Sequence, residues 1–155
     1  MRKGFFILLA ILAIGGLGYS LSGSKKDLYL TEFELDEKSF TADALKKIET
    51  ETALVLPAGA RGLRFHYKPP IDPIVFAKIE MPSGTEDLME KRLVAMKEFP
   101  GKFHVDFANS RCNWWPASFT NEIRSKFSHQ GGFYIQAHLV REKDQVVVYI
   151  KYFTI

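Results

Sequence analysis

Between the basic pair Arg2-Lys3 and the next charge at Lys25, the chain runs for 21 residues, Gly4 to Ser24, without a charged side chain. A helix of that length, at about 1.5 Å rise per residue, matches the roughly 30 Å hydrocarbon layer of a bilayer. Such a run cannot lie on a water-facing surface, so it confines the folding unit to the residues after it. Two readings fit the same residues. Residues 1–24 form a transmembrane anchor, with the membrane contacted through residues 4–24. Alternatively they form a signal peptide, with Phe5 to Ile14 as its apolar region and Gly18-Tyr19-Ser20 or Ser22-Gly23-Ser24 as its cleavage site. No cysteine follows the run to accept an acyl chain. Two basic residues flank each end, and the N-terminal amine together with Asp27 favours an inside N-terminus. We therefore expect residues 25–155 outside the cytoplasm, with 25–27 as a linker and 28–155 as one domain.

That domain has enough material for a core. The chain is 46% hydrophobic and 14% aromatic, and a domain of about 130 residues buries roughly two-thirds of its unfolded surface without disulfides or metals. Cys112 is the single cysteine, so no intrachain disulfide is expected. Arg2 and Lys3 account for two of the 21 basic residues, which leaves 19 against 18 acidic ones. A balance of +1 gives no electrostatic footprint for nucleic acid.

The pattern of elements predicts an α+β fold, mostly antiparallel sheet with two main helices. "LYLTEFELDE" alternates as a half-buried strand, with Phe33 and Leu35 on one face and Glu32, Glu34 and Asp36 largely on the other. This acidic edge reads as a solvated face that discourages strand-to-strand aggregation. Thr41 is placed to cap a helix, with Phe40 stapling onto Leu45. "LRFHY" and "IVFAKIEM" read as strands joined by "KPPIDP", where Pro69, Pro70 and Pro73 stiffen the loop. A second helix comes next, with a capping box from Ser83 to Glu86 and Leu88, Met89, Leu93, Met96 and Phe99 at helical spacing. "KFHVDF" reads as a short extended segment and "SFTNEIRSKF" as a short helix. "FYIQAHLV" and "VVVYIKYFTI" flank the five-residue "REKDQ" as an antiparallel hairpin, and the final strand is apolar on both faces, as expected of a covered sheet.

Chemistry-bearing motifs are sparse. There is no Gly-x-Ser-x-Gly elbow, no phosphate-cradling glycine loop and no preassembled His or Cys metal spacing, so no catalytic residue, metal or cofactor is expected. His104 and Asp106 share a strand face and could join a residue from Ser110 to Ser118 in a small hydrolase-like site. "RCNWWPASF" carries both tryptophans. If extended, Trp114 and Trp115 point to opposite faces, one beneath the helices and the other on an edge or groove. We take Trp114, Trp115, Pro70 and Asp72 as the candidate ligand- or partner-binding residues.

"LVLPAGARGLRFHYKPPIDPIVFAKIEMP", a following helix, "WWP" and the closing "VVVYIKY" resemble a loose group of small bacterial exported proteins and lipoproteins of uncharacterised function. The resemblance implies export across a bacterial inner membrane and carries no site residue with it. The sequence thus leads to an anchored extracytoplasmic domain that binds a protein or envelope component without catalysis. Two alternatives stay open beside the hydrolase-like one. The soluble part could be secreted after cleavage, and the Lys68 to Pro73 loop could serve an inhibitor or immunity-type protein.

Overall fold

Antiparallel pairing of strands, most of them consecutive in the chain, dominates the architecture. A computed structural model of the chain describes residues 31–69, 73–100 and 112–154. The apolar segment 4–24, the linker, "KFHVDF", His104, Asp106, Pro70 and Asp72 lie outside the described residues, and the sheet and helices belong to the unit Glu32–Ile155. Its elements are β1 (Phe33–Asp36), α1 (Ala42–Thr52), β2 (Arg61–Lys68), β3 (Ile74–Glu80), α2 (Glu86–Ala95), β4 (Glu122–Gln130), β5 (Phe133–Glu142) and β6 (Gln145–Phe153). The strands form one sheet in the order β1-β2-β3-β6-β5-β4, with every neighbouring pair antiparallel. The fold is therefore α+β. Among the described residues no helix is long and apolar enough to cross a membrane.

Register and alternation assign each side chain to a face. Val75, Ala77 and Ile79 of β3, Val148, Ile150 and Tyr152 of β6, and Ile135, Ala137 and Leu139 of β5 share one face. That face meets Ala44 and Ile48 of α1 and Met89 and Leu93 of α2 in the main core, all buried. Each buried valine, leucine, isoleucine or methionine among them contributes about 1.5–3 kcal/mol through removal from water. Polar residues on the same face of β4 reach the helix layer: Gln130 donates to the Thr52 carbonyl, Ser128 Oγ donates to the Lys97 carbonyl at 2.6 Å, and Arg124 pairs with Glu90.

Local chemistry explains most boundaries and several departures from expectation. Thr41 Oγ1 accepts from the Ala44 N–H at 3.3 Å, as its N-cap role requires, and Ala53 ends α1 in the left-handed region. Phe40 lies over Gly62 and meets Phe65 edge-on with ring centroids 5.7 Å apart. The capping box does not form. Gly84, at φ 78, takes the backbone out of the helical region between Ser83 and Glu86, so Thr85 stands at the N-cap and its hydroxyl donates back to Pro82.

"SFTNEIRSKF" is not helical; from Glu122 onward it is β4. Its period-two pattern sets Arg124, Lys126 and Ser128 toward the helix layer and Ser125 and Phe127 away, and a tight turn returns it onto β5. That turn is Gly131-Gly132, at φ 62 and 84, the pair of positive angles of a type I′ hairpin turn. The β5-β6 hairpin forms as expected but with a tighter turn: Glu142 pairs with Gln145, leaving Lys143-Asp144, and Lys143 adopts φ 53.

After α2, residues 97–99 run along the outer side of β4. Glu98 bridges to Ser128, and the Phe99 N–H donates to the Phe127 carbonyl at 3.0 Å. This strap occupies an edge that would otherwise offer free backbone groups. Phe99 turns around it to meet Phe127 and Tyr134 on the sheet's second face.

A Cβ built at Gly62 would stand 2.1 Å from the Phe40 ring. Gly62→Ala should therefore lower unfolding stability by about 1–3 kcal/mol, as overpacking does. Combining it with Phe40→Ala should cost less than the two single changes together. Denaturant titration of the four chains checks this, and additive effects would refute the packing of Phe40 on Gly62.

Candidate functional site

The sheet face opposite the helices is the chemically richest surface of the described chain. Register sets two rows across it. One runs Asp36, Arg64, Lys78, Tyr149, His138 and Ser125; its neighbour runs Glu34, His66, Phe76, Lys151, Gln136 and Phe127. Residues 112–119 lie against the middle of this face. Cys112, Trp115, Phe76, Val140, Val147 and Tyr149 form a second buried cluster, with Trp114, Phe119, Leu63 and Ile74 packed around it.

This placement corrects the expectation that one tryptophan fills the space beneath the helices. The segment is a turn, closed by the Trp115 N–H donating to the Cys112 carbonyl at 3.1 Å, rather than an extended strand. Both rings therefore approach the same cluster, with centroids 6.5 Å apart. Trp115 is 7% exposed and meets Phe76, Tyr149 and Phe119 edge-on at 5.2, 5.7 and 5.7 Å. Trp114 is half-buried at the margin, and its indole N–H, shielded from solvent, finds no acceptor among the described residues.

Several polar groups on this face are matched to one another. Lys78 Nζ donates to Glu142 Oε2 at 2.7 Å and lies 5.1 Å from the Tyr149 ring centroid, while the Tyr149 hydroxyl donates to the other oxygen of Glu142. Burial works to raise the Glu142 carboxyl, but these two donors outweigh it and hold the group below the ordinary carboxylate range. Burial and the adjacent carboxylate both push the Tyr149 phenol upward.

His138 stacks on Phe119 with centroids 4.0 Å apart. Gln136 donates its amide to Nε2 at 2.9 Å, so the imidazole proton sits on Nδ1 and is shared with Glu122. Burial lowers the His138 pKa, and Glu122 only partly reverses that, so the neutral ring is favoured.

The acidic edge of β1 is partly committed. His66, its side chain 4% exposed, has Nε2 2.8 Å from Glu32 and Nδ1 3.2 Å from Glu34, the second without hydrogen-bond geometry. Lys151 is fully buried, its ammonium 5.5 Å from the Phe76 ring centroid. Cys112 is 2% exposed, and burial pushes its thiol up to about 11. At neutral pH it is a protonated, apolar filler rather than a nucleophile. Among the described residues no three His, Cys, Asp or Glu side chains gather so as to hold a metal ion.

Sequence reasoning located Trp114 and Trp115 but missed the rings that Trp115 packs on, Phe76, Phe119 and Tyr149, and the Lys78–Glu142 pair beside Tyr149. The available signal was the double-sided apolar pattern of β6, which requires a second cover. Comparison of the chain with protein-family models, curated proteins and solved structures finds no match.

The depressed His138 pKa carries a sign. Below about 6.5 the unfolded chain binds a proton that the folded chain resists, so stability is full above that pH and declines as pH falls. The difference in unfolding free energy between the wild type and His138→Gln should therefore shrink on acidification. A difference that stays constant from pH 8 to pH 5, measured by denaturant titration, would contradict the burial assigned to His138.

Proposed function

We propose that the chain is a binding domain held by residues 4–24 at a bacterial inner membrane. Its folded part faces the extracytoplasmic side, where it engages a protein or envelope component without catalysing a reaction. The observation that carries this reading is the Trp114 indole N–H, buried at the margin of the aromatic cluster without an acceptor among the described residues. A buried donor left unmade costs about 1–3 kcal/mol, and a partner carbonyl or hydroxyl that enters as the Trp114 side chain shifts at this margin would recover it. Tryptophan suits such a position because its large apolar ring and single donor serve one contact. The matched polar groups behind it, together with the protonated Cys112 thiol, fit a preorganised support for that contact better than a reacting centre.

Trp114→Phe retains most of the ring and removes the donor. Its stability should equal or slightly exceed that of the wild type, while recovery of the membrane component cross-linked to the domain should fall by roughly tenfold, as loss of one buried hydrogen bond implies. Equal recovery with both chains would sink the reading.

The anchor has its own check in isolated membranes. A species of full-length mass, released only by detergent, is expected; a soluble species shortened by the apolar segment would identify a cleaved signal peptide instead.

A further inference from the structure

A groove of about 460 Å³ opens on the same sheet face, beside the aromatic cluster, lined by Asp36, Glu37, Lys38, Leu63, Arg64 and Lys78. Its volume falls within the roughly 300–1,000 Å³ of small-ligand sites. None of the described residues from 112 to 121 lines it, so what it binds is a separate matter from Trp114.

The charges around it are unevenly committed. Arg64 of β2 stands in register with Asp36 on one side and Lys78 on the other. Asp36 is the natural ion-pair partner, yet its Oδ1 accepts from the Lys38 and Ser39 N–H groups at 3.1 and 3.0 Å and from Ser39 Oγ at 2.7 Å. Glu37 pairs with Arg61 outside this row. Lys78 is held by Glu142. Arg64, an exposed side chain, makes no ion pair among the described residues, and it stands beside Lys78, whose charge Glu142 already offsets. Its guanidinium thus lines the groove with its donors open to an anion from solvent.

We propose that this groove binds a phosphate-type oxyanion, with Arg64 as its two-pronged donor, Lys38 and Lys78 as flanking charges, and Leu63 as apolar surface for the attached group. The planar guanidinium fork matches two oxygens of a phosphate, which an ammonium does not. The same chemistry is presented by free phosphate and by an anionic lipid headgroup.

The test follows backbone amide shifts of the full chain in uncharged detergent micelles. Three additions are compared at constant ionic strength: inorganic phosphate, short-chain phosphatidylglycerol and short-chain phosphatidylcholine. Saturable shifts centred on Lys38, Arg64 and Lys78 are expected, weakened roughly tenfold by Arg64→Gln and untouched by Lys91→Gln on α2, as loss of a bidentate charged contact implies. A response to inorganic phosphate assigns the free anion as the source, and a response to phosphatidylglycerol alone assigns the headgroup. No saturable shift with any of the three, or shifts that Arg64→Gln leaves unchanged or Lys91→Gln weakens equally, would overturn the proposal. The amide spectrum of each variant also reports whether the fold is intact.

Discussion

The double-sided burial of β6 is the constraint on which the rest of the structure depends. Val148, Ile150 and Tyr152 face the helices, while Val147, Tyr149 and Lys151 face the other way, and all six are buried. A strand of this kind is stable only between two other strands and beneath two covers. Its central position follows from the first requirement, with β3 on one side and β5 on the other. The second requirement is met differently on the two faces. Two regular helices close one, whereas an irregular turn carrying Cys112, Trp115 and Phe119 closes the middle of the other.

That difference in covers sets the difference in chemistry. Beneath the helices the core is apolar, mostly aliphatic with Phe65 and Tyr152 among it, and polar groups that reach the helix layer come from β4. On the second face the cover is narrow, so charged residues lie within a few ångströms of the aromatic cluster and must be matched there. Lys78, Glu142 and Tyr149 form one such matched set; Glu122, His138 and Gln136 form another. Such groups rigidify the surface that supports Trp114, because each would be costly to bury alone.

Much of this fold was legible from alternation and capping. β2, β3, β5 and β6 follow from the residue pattern, as do α1 and its Thr41 cap. β4 was not legible, because "SFTNEIRSKF" carries only Ile123 and the phenylalanines at its two ends as apolar markers and owes its strand conformation to the neighbour it pairs with. The missed signal was the pair Gly131-Gly132, a hairpin turn whose two positive φ angles only glycine adopts freely. The Ser83 capping box failed for a related reason, since Gly84 redirected the backbone between its two halves. The site was legible only as a pair of tryptophans. Which side of the sheet they cover depends on register between β3, β5 and β6, a long-range property that no local window contains.

The order of strands also bears on how the sheet is assembled. β1, β2 and β3 are neighbours both in sequence and in space, and so are β4, β5 and β6, whereas the joint between the two triplets is the pairing of β3 with β6. Residues 74–80 must therefore wait for residues 145–153, and in the interval the buried side chains of β3 border an open strand edge. Long-range closure of this kind slows folding and leaves an aggregation-prone intermediate. Kinetically, the most protected strand of the finished domain is its last piece to arrive, so a chain released before β6 has paired exposes the apolar centre of its own sheet.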